Sequence, residues 1–174
     1  MSYVFNDKVF FIIQGFLKYN SFDFGVKLRS FFYRPFFKKF GKNVQIQDGV
    51  TIKYPSEFEI GDNVKVGQHC FFVGKGGLQI GNNVLIGAGT KIITSNHNFE
   101  DTEKNISEQG LSFKRVLIEE NVWFGFDVKV LGGSIIRKGT VVGTNSLVNN
   151  KEFPTMSIIA GSPAQIIKHR IEKQ

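Results

Sequence analysis

Ile80-Gly81-Asn82-Asn83-Val84-Leu85-Ile86-Gly87-Ala88-Gly89-Thr90-Lys91 is the stretch on which the reading of this chain turns. It contains two units of six, each running aliphatic, glycine, two turn-forming or small residues, a small or β-branched residue, and one variable position. Upstream the aliphatic slot recurs at Ile46, Ile52, Ile60, Val66 and Phe72. Downstream it recurs at Ile92, Ile118, Phe124, Val130, Ile136, Val142 and Val148. The fifth slot holds Val50, Ser56, Val64, Cys70, Val84, Thr90, Val122, Val128, Ser134, Thr140 and Ser146. A period of two would mean alternating strands, and 3.6 an amphipathic helix. Six fits neither, but it suits short strands that turn at Gly, Asn and Asp after each unit. Three units close one triangular coil of about 18 residues with the large aliphatic side chains stacked inside. The chain is therefore predicted to be mainly β.

The beat stretches in three places. Ile52 to Ile60 and Phe72 to Ile80 each carry two extra residues, the second through Gly74-Lys75-Gly76-Gly77. Ile92 to Ile118 takes 26 residues and contains Thr94-Ser95-Asn96-His97-Asn98-Phe99. An insertion at a coil corner leaves the stack intact, and binding residues collect on such loops. A rigid frame broken by one polar loop, residues 94–117, points to His97 as the residue being presented.

The chain has 174 residues and a net charge of +7, spread unevenly. Residues 1–42 hold eight Lys/Arg against Asp7 and Asp23, and 11 of the 19 Phe. The basic balance thus belongs to an arm, and no nucleic-acid partner is expected. The arm reads as two short helices with a break near Asn20–Gly25. Phe5, Val9, Ile12, Ile13 and Phe16 share one face of the first. Leu28, Phe32, Phe36 and Phe40 step by four along the second, with Lys27, Arg34 and Lys38 on another face, and Pro35 splits this segment. The apolar run Val9 to Leu17 is too short to span a bilayer, and the sequence predicts no signal peptide. One cysteine excludes a disulfide framework and fits a reducing cytoplasm. The three histidines lie 28 and 72 residues apart, with no close pair, so no metal site is expected.

Taken together, a dozen hexapeptides in register, the His97 loop, Val122-Trp123-Phe124-Gly125-Phe126 and Ile158-Ile-Ala-Gly-Ser-Pro-Ala-Gln-Ile-Ile-Lys-His-Arg170 resemble a known family. It is the hexapeptide-repeat, left-handed parallel β-helix family, and within it the galactoside, nodulation-factor and colanic-acid types of O-acetyltransferase. The likeness covers roughly residues 44–170. It implies a β-helix over 43–153, an N-terminal helical arm over 1–42, and a tail over 154–174 with a short helix from Ala164 to Ile171. It further implies homotrimers that bind acetyl-CoA between subunits and transfer acetyl to a sugar hydroxyl of a surface polysaccharide or its precursor. An amine on a nucleotide-linked amino sugar is the alternative acceptor, and a non-catalytic assembly or binding module the alternative class.

By the same resemblance His97 is the catalytic base. Trp123, Gly125, Phe126, Gly143 and Thr144 flank the coenzyme arm, and Lys151 and Lys168 meet its phosphates. Thr144-Asn145-Ser146 stands where the family has Ala-Gly-Ser, which bears on the detail of the coenzyme fit. Read without the family, His97 is a polar loop residue, and the lysines are a solvated face. Neutral imidazole nevertheless suits the deprotonation of a hydroxyl near neutral pH. Glu100 and Asp101 are the nearest carboxylates to orient it. Asn96 and the outward His69 are candidates for holding the acceptor, His69 being equally readable as a surface histidine. His169 belongs to a basic tail. Cys70, in the small fifth slot, reads as a buried small hydrophobe rather than an acyl-accepting nucleophile. The arm either caps the open end of the β-helix or attaches the trimer to the inner face of the cytoplasmic membrane. The register itself is testable: Ile86→Asp would bury an unpaired carboxylate at a cost of several kcal/mol. Expression is expected to yield insoluble or unfolded protein, and soluble, cooperatively folding protein would refute the register.

Overall fold

The computed structural model describes residues 2–170. All the inward slots named above from Ile46 to Val148 are buried, none more than 3 % exposed. They stack because each coil lies one strand spacing from the next. The strands form three parallel faces. The first face holds Lys39–Phe40, Phe58–Ile60, Leu78–Ile80, Val116–Ile118, Ile135–Ile136 and Glu152–Phe153. The second runs Gln45–Ile46, Lys65–Val66, Leu85–Ile86, Trp123–Phe124, Val141–Val142 and Ser157–Gly161. The third contains Thr51–Lys53, Phe71–Val73, Lys91–Ile93, Lys129–Leu131 and Leu147–Val148. Coils 1 to 5 are complete, and a sixth is begun. Ile60 stands opposite Ile80, 20 residues on, whereas Ile118 faces Ile136 in the tighter later coils.

The corners between the first and second faces explain the Asn-rich units. Asn43, Asn63 and Asn83 all take left-handed backbone conformations, which Asn tolerates. Their amides form a ladder, Asn43 Nδ2 donating to Asn63 Oδ1 and Asn63 Nδ2 to Asn83 Oδ1, both at 3.1 Å. In the fifth slot, Ser134 and Ser146 turn their hydroxyls onto the Leu131 and Gly143 carbonyls at 2.7 Å.

The coil extends beyond the expected 43–153 at both ends. Lys39–Phe40 already pairs with Glu59–Ile60, and the repeat continues past Val148 through the buried Phe153 and Ile159. The expected helix from Ala164 is instead a strand. Ala164–His169 turns back antiparallel on Ser157–Gly161. There an unpaired sheet edge offers backbone partners that outweigh local helix preference. Ile171 lies outside the described residues.

At the other end, α1 (Ser2–Leu17) and α2 (Asp23–Tyr33) cover coil 1. Pro35 sits in a 3₁₀ turn, Arg34–Phe36, after α2 ends. The faces turned inward differ from those the apolar spacing predicts. Phe10 and Gln14 of α1 and Gly25, Arg29 and Tyr33 of α2 are buried, while Ile12, Phe16 and Phe32 are exposed. Phe5 lies outside the described side chains. The open end of the stack presents unpaired backbone groups, and polar side chains are what it needs. Gln14 Oε1 accepts from Ile52 N at 2.7 Å, and its Nε2 donates to Ile52 O at 3.3 Å. Arg29 Nε donates to Ile46 O at 2.8 Å, and its Nη1 to Leu17 O and Asn20 O at 3.0 and 2.7 Å. Ser30 Oγ donates to Val44 O at 2.6 Å. Phe10 packs edge-on to Tyr33 and Phe37, joining the cap to the core. No helix among the described residues is long and apolar enough to cross a membrane.

Gln14→Met keeps the length of the side chain but leaves Ile52's buried N–H and C=O unpaired. Urea unfolding is expected to show a loss of about 1–3 kcal/mol at unchanged m value.

Candidate active site

The chain leaves the coil at Thr94, which is fully buried. Thr94 N donates to Val73 O at 3.0 Å, and Thr94 O accepts from Lys114 N at 2.9 Å. Its Oγ1 donates to Val73 O at 2.9 Å and accepts from Gly76 N at 2.8 Å. A Cβ on Gly76 would lie 2.5 Å from Thr94 O, and one on Gly132 would lie 2.9 Å from Lys114 O. Two glycines from neighbouring coils therefore grip the base of the insertion from either side, and only glycine leaves room.

Beyond that base, Ser95–His97 and Leu111–Phe113 form an antiparallel hairpin with His97 opposite Leu111. Its far end is tied internally. Asn98 N and Nδ2 donate to Gly110 O and Gln109 O at 3.1 and 3.0 Å. Gln109 Oε1 accepts from Asp101 N at 3.0 Å, while Nε2 donates to Asp101 O and Lys104 O. His97 is thus held on paired backbone, its imidazole exposed at a cleft of about 230 Å³. The cleft lies between the hairpin and the corners of coils 4 and 5, lined among others by Asn96, Glu100, Lys114, Leu131 and Asn149.

Of the two nearest carboxylates, Asp101 is engaged elsewhere. It pairs with Lys104 Nζ at 2.9 Å and accepts from Glu103 N, and these contacts hold its carboxyl below the usual range. Glu100 is the carboxylate that lines the cleft. Asn96 and His97 are brought together, but His69 is not. It occupies the corner between the second and third faces of coil 2, in a left-handed conformation. Its ring covers Gly49, where a Cβ would lie 2.2 Å from Nδ1.

The expected coenzyme residues other than Lys151 lie on the second face, its adjoining corner or the return strand beside it. Trp123 projects from the second face between Leu85 and Val141, half exposed. Phe126 is exposed at the adjoining corner, where its carbonyl accepts from Asn145 N at 2.8 Å. Gly125 and Gly143 stand where the following coil comes close. A Cβ there would lie 2.7 Å from Thr144 N and 2.9 Å from Ala160 Cβ, so these glycines admit the next coil. Lys168 stands on the return strand opposite Ile158. Lys151 is at the corner before the first face, its Nζ donating to Gln165 Oε1 at 3.0 Å. Exposed aromatics with lysines beyond them fit a ligand with an apolar arm and a phosphorylated end.

Cys70 is buried, its thiol donating to Gly87 O at 3.3 Å, and burial pushes its pKa up to about 12. A thiol held protonated in the core is no nucleophile. Sequence reasoning missed Thr94, Gly76, Gly132 and Gln109. The one available signal was the run Gly74-Lys75-Gly76-Gly77, two glycines more than a coil corner needs.

No family model matches the chain. Among curated proteins, the putative colanic acid biosynthesis acetyltransferase WcaF of Escherichia coli K12 is 33% identical over 146 residues, spanning 84% of this chain and 77% of the relative. The chain belongs to the hexapeptide-repeat acetyltransferases. The putative lipopolysaccharide biosynthesis O-acetyl transferase WbbJ of the same organism is 36% identical over 114 residues, 62% of this chain and 58% of WbbJ. A hexapeptide-repeat acetyltransferase of Vibrio cholerae, solved with acetyl coenzyme A, superposes with a TM-score of 0.85. At 24% identity, over 96% of this chain and 88% of that one, it shows the shared fold.

The acetyltransferase's thiol offers a direct check. Native protein at neutral pH is expected to resist alkylation of Cys70 by iodoacetamide and to react only when unfolded, and Cys70→Ala is expected to retain activity. Rapid labelling of the native protein, or loss of activity in folded Cys70→Ala, would return the thiol to consideration.

Proposed function

We propose that this protein moves an acetyl group from acetyl-CoA to a sugar hydroxyl of a surface polysaccharide or its lipid-linked precursor. The observation that carries the reading is His97, held on a clamped hairpin with its ring at a polar cleft. The names of WcaF and WbbJ support a glycan acceptor, and that of WbbJ an ester product.

The chemistry needs one base. A neutral His97 nitrogen takes the acceptor's hydroxyl proton as the oxygen attacks the thioester carbonyl carbon. When the carbonyl reforms, the carbon–sulfur bond breaks, and the imidazolium returns the proton to the departing thiolate. Glu100, on the cleft wall, is the carboxylate available to steady the imidazolium. Trp123 and Phe126 hold the coenzyme's apolar arm, and Lys168 with Lys151 its phosphates. Asn96 orients the acceptor.

Within one chain the His97 hairpin leaves the corner between the third and first faces, whereas Trp123 projects from the second face. The two halves of the site therefore meet across neighbouring copies, and the working form is a homotrimer, in the cytoplasm where acetyl-CoA is made. His69 faces the same question from the other side, as an acceptor contact supplied to a neighbour's hairpin.

His97→Ala is expected to stay folded and to lose activity by about two orders of magnitude or more, followed as thiol release from acetyl-CoA with a glycan acceptor. Full activity in this variant would remove His97 from the mechanism. The product is expected to lose its acetyl group in mild alkali, as an ester does and an amide does not. Trimers mixed from His97→Ala and an inactive Trp123→Ala chain are expected to regain activity, because some contacts then join two intact halves. No recovery would place both halves in one chain.

A further inference from the structure

The inward faces of α1 and α2 are consumed in closing the coil, but their outward faces are not. Phe16, Phe22 and Phe31 are 81 %, 82 % and 74 % exposed, and Phe11, Ile12 and Phe24 are also exposed beside them. Soluble proteins seldom leave so many large apolar side chains together in water without a partner. Lys8, Lys27 and Lys39 are exposed in the same segment, and none has a carboxylate within 4 Å among the described residues. Of the arm's two acids, Asp7 turns toward Ser56 at 3.5 Å, leaving Asp23 as the exposed one. Phe24, Lys27 and Phe31 fall on one stripe of α2, so aromatic and basic groups alternate on a single surface.

Two occupants could cover such a face. A second copy related by a two-fold axis would bring one strongly basic segment against another, which their charge opposes. An anionic surface has the complementary charge, and aromatic rings among lysines are what the headgroup region of a bilayer accepts. We propose that the outward face of the N-terminal helix pair docks on an anionic phospholipid bilayer.

The docked end also faces the active-site corner. The first half of α1 lies over Ile52–Pro55 of coil 1, where an open groove of about 600 Å³ is lined by Phe11, Ile12, Lys53 and Tyr54. Lys75 lies 5.5 Å over the Tyr54 ring and 5.0 Å over that of Phe113, linking the groove to the hairpin. From Tyr54 in coil 1 to Gly132 in coil 4 is three strand spacings, about 14 Å. A sugar carried on a lipid headgroup would cover that distance with few units; this link rests on the acetyl-transfer reading, whereas the docking itself does not.

The test is co-sedimentation of the intact protein with vesicles. Binding is expected to vesicles containing phosphatidylglycerol at low salt, to fall as salt rises, and to be absent with phosphatidylcholine alone. The triple variant Phe16→Ser, Phe22→Ser, Phe31→Ser changes only exposed positions and is expected to bind about tenfold less or weaker still, with thermal unfolding unchanged. Lys8→Glu with Lys27→Glu is expected to lose the salt-dependent part. Failure of the parent to pellet with phosphatidylglycerol vesicles at low salt would overturn the proposal, as would equal pelleting by the triple variant. A triple variant that becomes a smaller assembly without lipid would assign the face to a contact between copies instead. None of these readouts requires acetyl transfer, so they stand apart from the enzymatic reading.

Discussion

The distance between coils governs this molecule. Parallel strands lie about 4.8 Å apart, and every corner of the triangular coil must turn within that height. At Gly87 a Cβ would come within 2.3 Å of Gly125 O, and at Gly61 within 2.7 Å of Gly81's carbonyl carbon. The second slot of the hexapeptide is glycine there because the next coil is already in the space. The same limit fixes the base of the active hairpin. A Cβ on Gly76 or Gly132 would meet Thr94 O or Lys114 O at 2.5 or 2.9 Å, the range in which successive coils close on each other. The His97 loop thereby departs from a base as closely packed as the frame, without belonging to its repeat.

A stack also has two ends, and the chain treats them differently. At coil 1 the unpaired groups are met by Gln14, Arg29 and Ser30, side chains that reach back from helices. At coil 6 a strand of the chain itself folds back along the second face. Periodicity could reveal neither solution. It ranks positions by hydrophobicity, and it therefore groups Ile12 and Phe16 on one face while giving no weight to a glutamine and an arginine. Burying Arg29 is costly for a charged group, and the carbonyls of Ile46, Leu17 and Asn20, with the charge of Asp48, offset that cost. Likewise Ala164–His169 has the composition of a short helix, and only the presence of an open sheet edge makes it a strand.

Inside the coil, sequence and structure agree residue by residue. Ile60, Ile80, Ile118 and Ile136 lie on one column because a six-residue rule assigns them the same face of the triangle. His97 was legible for the complementary reason, as the histidine in the longest break of that rule. What steadies it was not. Thr94 looks like any β-branched residue, and Gln109 like any polar one, until the chain folds and their hydrogen bonds become visible. Gly125 and Gly143 are a further case. Expected to flank the coenzyme arm, they are also positions where a side chain would meet the next coil, a requirement of the stack that the resemblance alone does not display.

Because each coil touches only the coils before and after it, the order of the sequence is also the order of the stack, and assembly can propagate coil by coil along it. The arm is synthesised before the coil, and with it the Gln14 and Arg29 groups that the first coil needs. Each later coil then finds a finished edge waiting, without a long search for a distant partner. The hairpin does not interrupt this, since Thr94 engages Val73 from the coil below before residues 95–113 exist. The protein is therefore arranged to mature from its N-terminus as it emerges, like masonry laid course by course.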